Sequence, residues 1–113
     1  VYSYARCSTC RKALAWLADR ELNPTVIDIT AQPPTVAELR QALAQLGRQR
    51  LFNTSGQSYR SLGAAAVKAM DDEEALEALA ADGKLIKRPF LIFGDGRIVT
   101  GFRAEEWEAL LPG

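Results

Sequence analysis

An α/β fold is expected for this chain of 113 residues. Three observations carry that expectation. Strand, helix and strand follow one another within about the first 30 residues, the order of a βαβ unit. The middle of the chain is helical. After Arg88-Pro89 comes an apolar strand, an Asp95-Gly96 turn, a returning strand and an amphipathic helix. The expected architecture is therefore a βαβ half, a helical insertion and a C-terminal ββα half, in a single domain over residues 1–113.

Each element has a local reason. Val1 to Tyr4 reads as a short opening strand. Ser8 to Leu22 reads as a helix, because Ala13, Leu14 and Leu17 form one stripe while Arg11, Lys12, Asp19 and Arg20 lie largely elsewhere. Asn23-Pro24 ends it. Thr25 to Ile29 is β-branched and strand-like, and a βαβ connection favours a parallel pair. Gln32-Pro33-Pro34 is a stiff connector, and Thr35 with Glu38 forms a capping-box pattern for a helix to about Leu46. Gly47 fits its C-terminal stop.

Leu51 to Leu62 carries weaker signals: a loop at Asn53 to Gly56, then a helical turn over Tyr59 to Leu62. Asp71 and Glu74 repeat the capping pattern for a helix to about Ala81, broken by Asp82-Gly83. Phe90 to Phe93 and Arg97 to Gly101 should pair as a hairpin across Asp95-Gly96. Ala104 to Leu111 reads as the last helix, with Trp107, Leu110 and Leu111 on its apolar face. This order is that of a thioredoxin-like domain.

Composition narrows the function classes. Hydrophobic residues make up 48% and charged residues 25%, the balance of a soluble globular protein. Lys+Arg and Asp+Glu are both 14, which argues against broad electrostatic binding to nucleic acid or to an anionic membrane. No apolar run approaches the roughly 18–20 residues that span a bilayer. No signal peptide precedes the first motif, so a cytoplasmic location is expected.

The chemistry centres on Cys7-Ser8-Thr9-Cys10, which holds the only two cysteines, in a chain without histidine. A zinc site needs about four ligands, and two more are wanting. Asp71 to Glu74 reads as a helix start and solvated face, not a metal site. The remaining readings are a redox pair and two plain core cysteines. A helix N-terminus offers unpaired N–H groups and positive partial charge, which stabilise a thiolate. Cys7 sits at the expected N-cap and takes the nucleophile role. Cys10 lies one turn on, about 5 Å away, within reach of a disulfide. It is the expected resolving thiol. Arg11, and Arg88 if the fold brings it near, would add positive charge.

Pro89 opens a central-looking strand, although proline donates no ladder hydrogen bond. It reads either as an ordinary strand-start proline or as the cis-proline that faces the thiol in redox folds of this kind. Trp16 and Trp107 read as core or rim aromatics.

At this point the chain resembles the arsenate reductase/Spx family of thioredoxin-fold proteins. The matching stretches are Tyr4 to Ala13, Gln32 to Thr35, Leu51 to Thr54 with Tyr59, Leu85 to Pro89, and Gly101-Phe102 before a terminal helix. The CxxC form is closer to the Spx/MgsR branch. In the reductases the resemblance implies a cysteine that attacks arsenate, surrounded by three arginines. Cys7 matches the nucleophile and Arg88 the arginine before the cis-proline. Asn53 and Phe102 stand at the other two arginine positions, with Arg103 one place out and Arg60 near in sequence only. Each charge-assisted contact contributes roughly 1.5–3 kcal/mol, so losing two weakens arsenate reduction by orders of magnitude. The amides of the loop, with Ser8, Thr9, Arg11 and Pro89 around them, would still hold an oxyanion or substrate.

The expected activity is a cytoplasmic thiol–disulfide oxidoreductase without bound cofactor or metal. Its substrate would be a small oxyanion or disulfide. Thioredoxin or glutathione/glutaredoxin would be the electron donor. The Spx side of the family implies an alternative, a redox-switched regulator that binds the C-terminal domain of the RNA polymerase α subunit and no nucleic acid directly. Gly47 aligns with a glycine at that contact, followed here by Arg48-Gln49-Arg50.

Overall fold

Alternation along two short strands sorts the core into two layers. The computed structural model describes residues 1–110. Strand β3 (Phe90–Ile92) and strand β4 (Ile98–Thr100) pair antiparallel, with Phe90 opposite Thr100 and Ile92 opposite Ile98. Phe90, Ile92 and Ile98 point to one face, and Leu91 and Val99 to the other, as period-2 geometry requires. Strand β1 (Tyr2–Ser3) lies antiparallel to β3, and strand β2 (Ile27–Asp28) lies parallel to β1. The sheet order is β2-β1-β3-β4, so the expected parallel pair and the expected hairpin are both present.

One face carries helix α1 (Ser8–Asp19) and helix α6 (Ala104–Leu110). Ala13 and Leu17 pack there with Leu91, Val99 and Trp107. Trp107 is fully buried and its indole N–H donates to the Gly101 carbonyl at 3.2 Å. Trp16 is half-buried and meets Trp107 and Phe102 edge-on, so the two tryptophans are core and rim. Leu111, placed by its pattern in the last helix, lies outside the described residues.

The other face carries the insertion. Helix α2 (Val36–Leu46) starts at a complete Thr35/Glu38 capping box and stops at Gly47, whose φ of 82° favours glycine. Helix α3 (Gln57–Leu62), helix α4 (Ala64–Ala69) and helix α5 (Asp72–Ala81) follow. The second capping box, Asp71 with Glu74, is also formed. Leu39, Leu76, Leu79 and Ile86 from this layer pack with Tyr2, Phe90 and Ile98.

Several boundaries differ from the sequence pattern. The first helix ends at Asp19, not Leu22, because the chain turns through Glu21 at φ 59° before Asn23-Pro24. Short 3-10 turns form at Arg48–Arg50 and Gly83–Leu85, and α4 carries no strong capping signal in its sequence. Around Phe52 the chain forms a small antiparallel ladder: Phe52 bridges Ile86, Asn53 N–H donates to Leu85, and Lys87 N–H donates to Leu51. Arg48 explains how α4 ends, since its guanidinium donates to the carbonyls of Met70 and Val67 at 2.8 Å each. Gln45 reaches from α2 to the hairpin, accepting from Ile98 N–H and donating to the Gly96 carbonyl. No helix among the described residues is long and apolar enough to cross a membrane.

Candidate functional site

Cys7 is the N-cap of α1, in extended backbone at φ −91° and ψ 116°. Its carbonyl accepts the first helical bond, from Arg11 N–H at 3.1 Å. Its sulfur takes the place of the usual hydroxyl or carboxylate and accepts from Cys10 N–H at 3.4 Å. The loop before it is held by Cys7 N–H on the Tyr4 carbonyl and by the Arg11 guanidinium on the Ala5 carbonyl. The half-buried sulfur therefore sits where the helix end concentrates donor groups.

Cys10 is completely buried. Burial first, and then a hydrogen bond with Cys7, pushes its thiol up to about 11, against the opposing pull of donors at Tyr4 and Ser3. Both thiols are free. The pair is thus unequal: an accessible sulfur at the helix end, and a neutral thiol behind it.

A cavity of about 340 Å³ opens over Cys7. Thr9, Asn53, Ser55, Thr100 and Phe102 line it, together with Arg50, Lys87, Arg88 and Arg103. No carboxylate lines it among the described residues. Its walls come from the α1 start, the Phe52 ladder, the Arg88-Pro89 corner and the end of β4. Lys87 packs against Gly101, where an added Cβ would meet its Cε at 3.3 Å. The Arg88-Pro89 peptide is cis, and the Arg88 guanidinium lies 5.1 Å from the Tyr4 ring centre.

The structure places Cys7, Thr9 and Arg88 around the cavity, with Cys10 buried one turn behind Cys7. Ser8 and Arg11 are exposed and lie outside the cavity lining, and Arg11 is committed to the loop carbonyl. Pro89 is buried beside the lining residues and is not one of them. Arg60 donates to the Ser55 carbonyl and to Gln57 on the surface and does not line the cavity. Arg103 does reach the cavity despite its one-place offset. Arg50 and Lys87 are the cations that sequence reasoning missed. Leu51 and Lys87 pair across the small ladder, which brings the neighbouring residues to one rim, and nothing in the local sequence marks that pairing. No cluster of metal-ligating side chains occurs among the described residues.

A four-stranded sheet with an exposed-to-buried dithiol at a helix start defines a thioredoxin-like α/β domain. The model of the ArsC family matches residues 2–110, and the chain belongs to that family. It is 39% identical over 110 residues to YusI, an uncharacterized protein of Bacillus subtilis strain 168, covering 95% of this chain and 92% of the relative. It is 26% identical over 114 residues to the global transcriptional regulator Spx 2 of Bacillus anthracis, covering 99% and 86%. The crystal structure of a possible arsenate reductase from Streptococcus mutans UA159 matches with a TM-score of 0.84 and 42% identity, covering 95% and 94%.

Proposed function

We propose that the protein is a cytoplasmic thiol–disulfide oxidoreductase in which Cys7 attacks and Cys10 resolves. The supporting observation is the inequality of the two sulfurs: Cys7 opens to the cation-lined cavity, and Cys10 is sealed one turn behind it. With a disulfide substrate, the Cys7 thiolate attacks one sulfur and expels the other as a thiolate, leaving a mixed disulfide. Cys10 then attacks the Cys7 sulfur, and its proton passes to the departing substrate thiolate. The products are two substrate thiols, the first protonated from water and the second by Cys10, and a Cys7–Cys10 disulfide. Two electrons have left the protein, and thioredoxin or glutathione/glutaredoxin returns them. With arsenate the same two electrons reduce arsenic(V) to arsenic(III), and an oxide oxygen leaves as water.

The burial of Cys10 suits this order of events. A neutral thiol does not compete for the first attack, and it becomes useful only when the Cys7 sulfur has become electrophilic. Arg88 and the neighbouring cations favour an anionic substrate or leaving thiolate.

The test is arsenite production from arsenate by purified protein. NADPH-coupled thioredoxin and glutathione with glutaredoxin are run in parallel, beside a Cys7→Ser control. A disulfide substrate in the same coupled assays covers the wider activity. Turnover that disappears in Cys7→Ser supports the reading. Equal rates in wild type and Cys7→Ser, or oxidation that never yields the Cys7–Cys10 bond by mass spectrometry, contradict it.

The relation to Spx 2 favours a second reading, a redox-switched regulator that binds the C-terminal domain of the RNA polymerase α subunit. Its mark would be binding that changes on oxidation without catalytic turnover. A pull-down insensitive to oxidation rejects it.

A further inference from the structure

The cavity over Cys7 has one hydrophobic wall. Among its described lining residues, Phe102 alone carries a large apolar side chain; the others are small, polar or cationic. Its ring is half-buried and packs against the core of Ala13, Leu17, Leu91, Val99 and Trp107. Two neighbours fix its position. The Trp107 ring lies 5.0 Å away at 85°, and the Trp16 ring lies 5.9 Å away at 65°. Trp107 is itself held by burial and by its hydrogen bond to the Gly101 carbonyl. Edge-on aromatic pairs attract beyond the area they bury, so the ring stays at the wall. A small inorganic anion keeps its hydration and gains nothing from a benzene ring. A carbon-rich group gains, because both surfaces leave water. A wall already ordered by its own core loses little freedom when it is covered.

We propose that Phe102 is a specificity-determining residue, which seats an aromatic or apolar group borne by the sulfur that Cys7 attacks. The substrate class is an organic disulfide with a carbon-rich, negatively charged substituent. The ring takes the carbon skeleton, and the cations of the cavity face the charge. This rests on the reading of Cys7 as the attacking thiol of a disulfide exchange. In that step the Cys7 thiolate bonds to the nearer substrate sulfur, the substrate S–S bond breaks, and the farther sulfur leaves with the electron pair as a thiolate.

Two probes separate the ring's contribution from charge. Dithiobis(nitrobenzoate) and dithiodipropionate are both disulfides with a carboxylate on each half, one aromatic and one aliphatic. Loss of free Cys7 is followed by mass spectrometry in excess of either reagent, and the ratio of the two rates is compared between wild type and variants. Intrinsic reagent reactivity cancels in that comparison. Phe102→Ala should lower the aromatic-to-aliphatic ratio on the order of ten-fold. Phe102→Leu keeps an apolar wall and should lower it about two- to three-fold. Where Phe102→Ala does not fold, Phe102→Leu carries the test. A merely structural Phe102 would change both rates alike and leave the ratio where it was. An unchanged ratio therefore overturns the proposal and leaves thiol exchange at Cys7 standing. A wild-type Cys7 that reacts with neither disulfide overturns the exchange reading, and the role of Phe102 with it.

Discussion

The backbone N–H of Cys10 points at the sulfur of Cys7 across 3.4 Å. The same geometry makes one cysteine the helix cap and the other a buried rung of the helix. Their reactivities should differ accordingly. Brief iodoacetamide treatment at neutral pH should give a single adduct, on Cys7. Cys7→Ser should then be nearly inert until the protein unfolds. Peptide mass spectrometry that finds Cys10 modified first would contradict this order.

The buried thiol also sets a pH dependence. Cys10 is held up to about 11, while an unfolded thiol titrates near 8.5. Below about pH 8.5 both states are protonated and the contribution to stability is complete. As pH rises from there towards 11, the unfolded chain ionises first and stability falls, by about 2–3 kcal/mol at pH 10.5. Tyr2, pushed up to about 12 by burial and by its hydrogen bond to Glu38, adds to the loss at the upper end. Urea unfolding at pH 8 and 10.5 should show a clearly smaller drop in Cys10→Ala than in wild type.

The cations around Cys7 should select reagents by charge. Iodoacetate and iodoacetamide alkylate the same sulfur, one as an anion and one neutral. Arg88→Ala should reduce the iodoacetate-to-iodoacetamide rate ratio by several-fold, roughly the effect of one charge at a partly exposed site. An unchanged ratio would remove Arg88 from the electrostatics of the cavity.

Gly83 is a packing requirement. A Cβ placed there would lie 1.9 Å from the Ile29 carbonyl oxygen and 2.6 Å from its carbon, both rigid backbone atoms. Gly83→Ala should cost about 3 kcal/mol or prevent folding. Gly94→Ala meets nothing within 4 Å and is the matched control. Thermal melts of the two variants should separate widely.

Arg48 should act at a distance from the cavity. Its two hydrogen bonds close α4 at Met70 and Val67. Arg48→Met should weaken that end by about 1–2 kcal/mol and speed amide exchange over Ala64–Ala69. Exchange in α1 should stay as it is. Uniform acceleration across the chain would point to a global defect instead.

Much of this architecture was legible because its signals are local. Two capping boxes, Gly47, the Asp95-Gly96 turn and the Cys7 to Cys10 spacing each specify a short stretch by chemistry near at hand. The short strands were overestimated, since two or three residues in register carry no periodicity that stands out from their flanks. Arg50 was the main miss in the site. Its place depends on Thr100 and Glu106, some fifty residues away along the chain, and no local pattern encodes that partnership. Arg103, directly after Phe102, reaches the cavity because a long side chain at a rim tolerates a shift of one residue.

The outer strand of the sheet has a consequence of its own. β4 lies at one end of the order, where a strand usually leaves a row of unclaimed peptide groups. Here a glutamine amide occupies Ile98 N–H, and a guanidinium occupies the Thr100 carbonyl. Both would have to let go before a second strand could zip onto that edge. The molecule is thereby protected against templated self-association along β4. A protein that brings its sulfur to Cys7 must dock by side chains rather than by extending the sheet there.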